Sequence, residues 1–152
     1  MSETDDAQLG QISTGPRQTK LNTPTDRLEL PRKAVIAFRQ SGGLRFSTRE
    51  VIVYNDGRVI ARWQGKLGTG EGSRRITRDE VMHLKDLIKQ SSFFELPLSI
   101  GRSSPDGYAY ELIARIDRKP RSIEFFDGSI PAKLRPLLAQ LKTFSSMDAA
   151  QE

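Results

Sequence analysis

The chain has 152 residues, no cysteine and one histidine, and its net charge is +5. A chain of this length can form one domain whose core is large enough to fold without disulfides or structural metals. No apolar run approaches the roughly 18 to 20 residues that span a bilayer, and the acidic N-terminus lacks the apolar stretch of a secretory signal. We therefore predict a cytoplasmic protein without membrane insertion.

The net positive charge comes from the second part of the chain. Residues 1–30 include three basic and five acidic residues, whereas residues 31–152 include 21 basic and 14 acidic residues. The first segment is polar and shows no hydrophobic period, so it cannot bury enough apolar surface to offset the entropy of ordering. We predict a disordered leader over residues 1–31, a folded domain over residues 32–146 and a disordered tail over residues 147–152.

Three strands are predicted in the first half of the domain. The apolar run from Lys33 to Arg39 suits an interior strand, which Ser41-Gly42-Gly43 ends. A second strand runs from Leu44 to Tyr54. The residues Asn55-Asp56-Gly57 tolerate the positive φ of a tight hairpin and lead into a return strand from Arg58 to about Gln64. Three side chains of the return strand share one face, which predicts a tryptophan in or near the core: Val59, Ala61 and Trp63.

A glycine-rich segment and a helix follow. The four glycines between Gly65 and Ser73 predict a mobile loop. Thr77, with Glu80 three residues later, is the sequence of a capping box and marks the start of a helix. The segment Ser91 to Pro97 ends the helix, and its apolar residues are expected to fold onto the core. The buried stripe of the helix is predicted from its spacing to be Val81, Leu84, Leu87 and Ile88.

The second half of the domain repeats the plan of a hairpin and a helix. Tyr108 to Asp117 alternates between two faces, one buried and the other mostly exposed. Asp117-Arg118-Lys119-Pro120 then turns the chain back into a strand from Arg121 to Phe126.

The last helix contains a proline that conflicts with a helix interior. Pro136 would remove a backbone hydrogen bond there, so we expect a separate turn around Pro131 to Lys133 and a main helix from near Arg135. The order β-β-β-α-β-β-α predicts an α+β fold. Its mainly antiparallel sheet of about five strands carries two helices packed on one face.

The sequence offers few residues for catalysis or metal binding. His83 is the single histidine, so a zinc site would need carboxylates alone beside it, and a serine nucleophile would have no other histidine as its base. Asp79 and Glu80 are explained as favourable charges in the first turn of a helix. The glycine-rich segment lacks the Gly-Lys-Ser/Thr end of a phosphate-binding loop. We predict a non-enzymatic protein with no catalytic residue, no metal and no cofactor.

Basic residues in the first half of the domain leave nucleic acid open as a partner, less favoured than another protein. Basic side chains interleaved with an exposed aromatic can follow a single strand, but Trp63 shares the apolar face of its strand and no recognition motif is present. An excess of this size is also ordinary solubility charge. The basic residues of this half are Arg45, Arg49, Arg58, Arg62, Lys66, Arg74, Arg75 and Arg78.

Three short segments look like those of one family of small bacterial proteins, and a fourth, Tyr108 to Leu112, lies where a similar aromatic-acidic strand is expected. They are Phe38-Arg39-Gln40-Ser41-Gly42-Gly43, Phe93-Phe94-Glu95-Leu96-Pro97, Tyr108-Ala109-Tyr110-Glu111-Leu112, and Phe126-Asp127-Gly128-Ser129-Ile130-Pro131 with Leu134-Arg135-Pro136-Leu137. From about Val35 to Phe144 the chain thereby resembles the emfourin family, protein inhibitors of thermolysin-type zinc metalloproteases such as protealysin. The resemblance implies a non-catalytic binding domain that inhibits such a protease.

Loops are the expected contact surface of such an inhibitor. A protease cleft binds extended backbone, and a rigid domain can fill it with a preorganised loop at little entropic cost. For Gly42 and Gly43 a tight turn with positive φ is a second explanation. The alternative roles are an accessory or docking subunit of a larger complex and a nucleic-acid-binding module that uses the basic face. The predicted partner-binding residues are Ser41, Gly42, Gly43, Leu44, Arg45, Lys66, Arg74, Arg75 and Arg102.

Overall fold

The computed structural model describes residues 27–43, 47–66 and 68–150, with side chains described as far as Ser145. Most of the predicted leader, the first residues of the second predicted strand and the end of the predicted tail therefore lie outside the described residues. In chain order the elements are β1 Ala34–Gly42, β2 Ser47–Tyr54, β3 Arg58–Gly65, β4 Gly68–Arg75, α1 Arg78–Gln90, a 3₁₀ turn Phe93–Glu95, β5 Ser99–Ile100, β6 Tyr108–Ile116, β7 Lys119–Phe126, a 3₁₀ turn Ala132–Leu134 and α2 Arg135–Ala150.

The described strands form one mixed sheet in the spatial order β4-β3-β2-β1-β6-β7-β5. Neighbouring strands are antiparallel except that β5 runs parallel to β7. The α+β class and the two helices are confirmed. The expectation of about five mainly antiparallel strands is corrected to a mixed sheet of seven, because β4 and β5 were not predicted.

The strand β4 corrects the prediction of a mobile loop between Gly65 and Ser73. It pairs with β3 over its whole length, from Gly65 opposite Gly68 to Arg58 opposite Arg75. One glycine of β4 leaves room for a neighbour: a Cβ on Gly70 would lie 2.3 Å from Nε1 of Trp63. The indole of Trp63 therefore takes the space that a side chain at position 70 would need.

Both helices pack on one face of the sheet, where the main core lies. The buried stripe of α1 is confirmed, and the capping box is present: Thr77 Oγ1 accepts from the Glu80 N–H at 3.0 Å, and Glu80 Oε1 accepts from the Thr77 N–H at 2.8 Å. The separate turn before α2 is also confirmed. In the described part of the chain neither helix has the length and apolar content of a membrane span. The buried residues of α2 and of its preceding turn are Leu134, Leu137, Leu138, Leu141 and Phe144.

The opposite face, which we call the open face, carries a smaller apolar cluster and a row of charges. Leu28 is buried against Ala37, Ile52 and Ile113 at the centre of this face, so packing begins upstream of the boundary predicted at Pro31. Apolar cover on both faces explains why the central strand β1 is buried continuously over its first six residues. Beside the cluster, one charged residue from each of six neighbouring strands forms a row in cross-strand register: Glu71, Arg62, Glu50, Arg39, Glu111 and Glu124.

Candidate functional site

One end of the sheet, which we call the glycine end, gathers most of the predicted binding residues. The last residue of β1, Gly42, pairs with Ser47 and Tyr108, so β1 ends beside the starts of β2 and β6. The β3–β4 turn reaches the same end, and the loop 101–107 leads into β6 there. The predicted residues at the glycine end are Ser41, Gly42, Gly43, Lys66 and Arg102.

The two glycines after Ser41 are required by the local geometry. Gly42 and Gly43 have φ angles of 103° and 76°, which confirms the positive φ expected of them. A Cβ on Gly42 would lie 2.8 Å from the carbonyl oxygen of Gly107, and one on Gly43 would lie 2.7 Å from the Tyr108 ring. The Gly43 N–H also donates to the Gly107 carbonyl at 3.1 Å. Glycine here allows β1 to approach the loop 101–107 closely.

At the glycine end, the carboxylate of Asp127 contacts β6 from the side of β7. Asp127 Oδ2 accepts from the Tyr108 N–H and Oδ1 accepts from the Tyr110 hydroxyl, both at 2.8 Å. The Tyr110 ring stacks on Phe125 with ring centroids 5.1 Å apart. Burial and the contact with Asp127 raise the pKa of the Tyr110 phenol above its ordinary value, so the hydroxyl stays protonated as a donor. The sequence placed Asp127 only in a motif and did not indicate this contact.

Two predicted residues lie at the opposite end of the sheet, which we call the hairpin end. Arg75 pairs with Arg58, and its Nη1 donates to the backbone carbonyl of Asp56 at 3.2 Å. The guanidinium of Arg74 lies 5.5 Å above the Phe144 ring, against α2. The structure therefore does not bring the predicted residues together at one end. Leu44 and Arg45 lie outside the described residues.

The strand β4 connects the two ends as an edge of the sheet. Edge strands present unpaired backbone N–H and C=O groups to which another chain can add, and many proteins protect them with short strands, lysine, proline or bulges. The other edge of the described sheet is β5, which has only two residues. β4 has eight residues, Gly68–Arg75, without lysine or proline, and its register with β3 is continuous. Among the described strands, β4 is thus the edge best suited to accept an extended segment.

A signal in the sequence could have revealed β4. Polar residues occupy every second position and glycines occupy most positions between them, which is the period of a strand. The exposure of the residues alternates with the same period. The same residues also predict a loop, because glycine has no apolar side chain that marks a buried face. The alternating polar residues are Thr69, Glu71, Ser73 and Arg75.

The titratable residues of α1 give no separate site. His83 is exposed on α1, off the buried stripe, as its position in the sequence predicts. No group of three or more histidine, aspartate or glutamate residues in the described ranges is placed to hold a metal ion. The candidate site is therefore the β4 edge with the basic residues at its two ends.

No family model and no curated protein matches the chain.

Proposed function

We propose that this protein is a non-enzymatic domain that binds another protein along the β4 edge, and that the partner is a thermolysin-type metalloprotease whose activity it inhibits. The observation that carries the proposal is the long, continuous β4 edge. An edge strand gains affinity by backbone hydrogen bonding to an extended segment, while neighbouring side chains give selectivity.

The β4 edge has the rigidity that an inhibitor needs. It is paired with β3 along its entire length. Arg62 Nε and Glu71 Oε1 are 3.5 Å apart on the open face, and the Trp63 indole packs over Gly70 on the helix face. A strand that is paired along its length and packed on its helix face loses little conformational freedom when it is bound, so more of the contact energy appears as affinity.

A protease cleft is the kind of partner that fits an extended, preorganised backbone. Thermolysin-type enzymes are singled out by the likeness of the four segments to emfourins. The basic residues near the two ends of β4, among them Lys66 and Arg75, favour an acidic rim on the partner and faster encounter at low salt.

The first experiment measures inhibition. The full chain is titrated into a thermolysin-type peptidase that cleaves a fluorogenic peptide, and we expect peptidase activity to fall to a plateau at a stoichiometric ratio. A peptidase that stays fully active in excess of the protein would contradict the inhibitory function.

The second experiment tests whether the β4 edge makes the contact. Successive N–H groups of a strand at a sheet edge point alternately towards the neighbouring strand and away from it. Of the adjacent variants Gly72→Pro and Ser73→Pro, one therefore loses a hydrogen bond to β3 and the other loses an outward N–H group. The variant that loses only the outward N–H should keep its stability, so the melting temperatures of the two variants show which one it is.

We expect that stable variant to lose inhibition, because proline removes the outward donor and adds a ring at the edge. The matched control Ser73→Ala keeps the backbone donor and should inhibit like the unmodified chain. If the stable proline variant inhibits normally, another surface binds the protease. If the chain binds a different protein through this edge without affecting peptidases, the docking-subunit role replaces inhibition.

A further inference from the structure

A pocket of about 680 Å³ opens at the hairpin end of the sheet. It lies between the turn before β1, the β2–β3 turn, the β6–β7 turn and α1. Its described lining includes five basic residues and two acidic ones. The basic residues are Lys33, Arg58, Lys85, Arg115 and Arg118.

The acidic residues do not balance this positive charge. Asp56 Oδ1 accepts from the backbone N–H of Arg58 at 3.0 Å, which holds the pKa of Asp56 below its ordinary value. Its carboxylate is therefore ionised, and it faces Arg58 Nε at 3.9 Å. With Asp56 and Arg58 paired, Asp117 is the one acidic residue left in the described lining to balance the other four basic residues. Like charges that share a pocket repel one another, and an anion between them relieves the repulsion.

Charged residues around the pocket have a strained backbone conformation. Within the described ranges four residues other than glycine have positive φ, and three of them line this pocket: Lys33 at 70°, Asp117 at 53° and Arg118 at 69°. Backbone strain of this kind is concentrated at functional sites.

Both strained turns use a basic residue where glycine fits better. The Ala34 N–H donates to the Pro31 carbonyl at 3.0 Å, so Lys33 occupies the third turn position, where positive φ favours glycine. Asp117 and Arg118 form a two-residue connection between Ile116 and Lys119, and tight hairpins of this type favour asparagine and glycine. The two turns thus place Lys33 and Arg118 at the pocket at the expense of local backbone preference.

Hydrogen bonds fix the frame of the pocket. The Asn55 N–H donates to the Lys33 carbonyl at 2.9 Å, and Lys85 Nζ donates to Asn55 Oδ1 at 2.9 Å. Arg115 Nη1 donates to the Ala34 carbonyl at 3.2 Å. These hydrogen bonds join the turn before β1, the β2–β3 turn, the strands β1 and β6, and α1 around the pocket.

We propose that this pocket binds a small anion of the phosphate class, such as pyrophosphate or an organic phosphate, through Lys33, Arg115 and Arg118. Its volume lies in the range of small-molecule sites. Guanidinium and ammonium groups are the side chains that bind phosphate oxygens most strongly. A pocket bounded by turns and a helix suits a compact anion better than an extended acidic chain. The proposal is independent of the β4 edge.

The test is calorimetric titration of the full chain with pyrophosphate and with inorganic phosphate at constant ionic strength. We expect saturable binding of at least one of the two anions. The variants Lys33→Gly and Arg118→Gly should each weaken it by about tenfold or more, because each removes a charge-assisted contact. Both variants should melt at the same or a higher temperature, since glycine suits the positive φ. The loss of binding is then separated from unfolding.

The matched control is Lys89→Gln, which removes one positive charge from α1 outside the pocket lining and should leave binding unchanged. The proposal is overturned by any of three results: no saturable binding of either anion, equal binding by all variants, or saturable binding of a polyglutamate peptide without binding of pyrophosphate.

Discussion

The hydroxyl of Tyr110 links β6 to the carboxylate that follows β7. It donates to Asp127 at 2.8 Å, and burial raises the pKa of the phenol above its ordinary value of 10.0. Tyr110→Phe removes this hydrogen bond and should lower the free energy of unfolding by about 1 kcal/mol near neutral pH.

The sign of the pH dependence follows from the raised pKa. The protonated phenol stabilises the folded state fully below the unfolded pKa of 10.0, and this contribution is lost as the pH rises through the folded pKa. Urea unfolding at several pH values above neutrality should therefore show that the advantage of the unmodified chain over Tyr110→Phe shrinks once the pH exceeds about 10. Parallel pH profiles for the two proteins would show that the phenol is not perturbed.

Arg39 and Arg62 have similar neighbours on the open face but different exposure. Arg39 is 4% exposed, and its Nε lies 2.9 Å from Glu111 Oε1 and 3.7 Å from Glu50 Oε2. Arg39→Met leaves these two carboxylates on either side of β1 without the cation, so we expect a loss of about 2 to 3 kcal/mol of unfolding free energy.

Arg62→Met is the matched control. Arg62 and Glu71 have side chains that are 44% and 60% exposed, so their ion pair is screened by water. We expect the free energy of unfolding to change by less than about 0.5 kcal/mol. Chemical denaturation of both variants under one set of conditions tests the difference. Equal losses of unfolding free energy in the two variants would mean that exposure does not determine how much each arginine stabilises the fold.

At the scale of single elements, the helices could be predicted and the edge strands could not. Thr77 and Glu80 are three residues apart and cap α1 by a local contact, and the apolar stripe of α1 has a period visible in the sequence. β4 instead depends on β3, which supplies its hydrogen-bonding partner and the indole that packs over Gly70. β5 has two residues, too few to show a period.

The turns that line the pocket at the hairpin end show a second limit of sequence patterns. Asn55-Asp56-Gly57 indicates a hairpin because its residues tolerate positive φ, and the structure places the turn between β2 and β3 there. Lys33 and Arg118 also adopt positive φ, but lysine and arginine carry no such signal. A position where the residue type disagrees with the backbone conformation becomes visible only in the structure.

For the whole molecule, sheet order determined which residues share a surface. The order of the strands along the chain could not show that β1 lies at the centre of the sheet, between β2 and β6. The pairing of the strands places Ser41 and Lys66 at the glycine end of the sheet, and Arg74 and Arg75 at the hairpin end. Residue type alone predicted basic residues such as Lys66 and Arg75 as binding residues, and their separation between the two ends of the sheet required the topology.

The same topology predicts a role for the segment before β1. Leu28 is 9% exposed and covers the apolar cluster of Ala37, Ile52 and Ile113 on the open face. Leu28→Ala should lower the free energy of unfolding by about 2 kcal/mol, near the lower end for a buried leucine because the cluster is thin.

Leu98→Ala is the control for the loss of a leucine side chain. Leu98 is 62% exposed, so its replacement should change the free energy of unfolding by less than about 0.5 kcal/mol. Urea unfolding of the two variants decides whether residues 27–30 stabilise the domain. If Leu28→Ala is as mild as Leu98→Ala, the sheet does not need this cover and the folded unit can begin at β1. If the loss is larger, the domain includes residues upstream of Pro31, because the centre of the sheet must be covered on both faces.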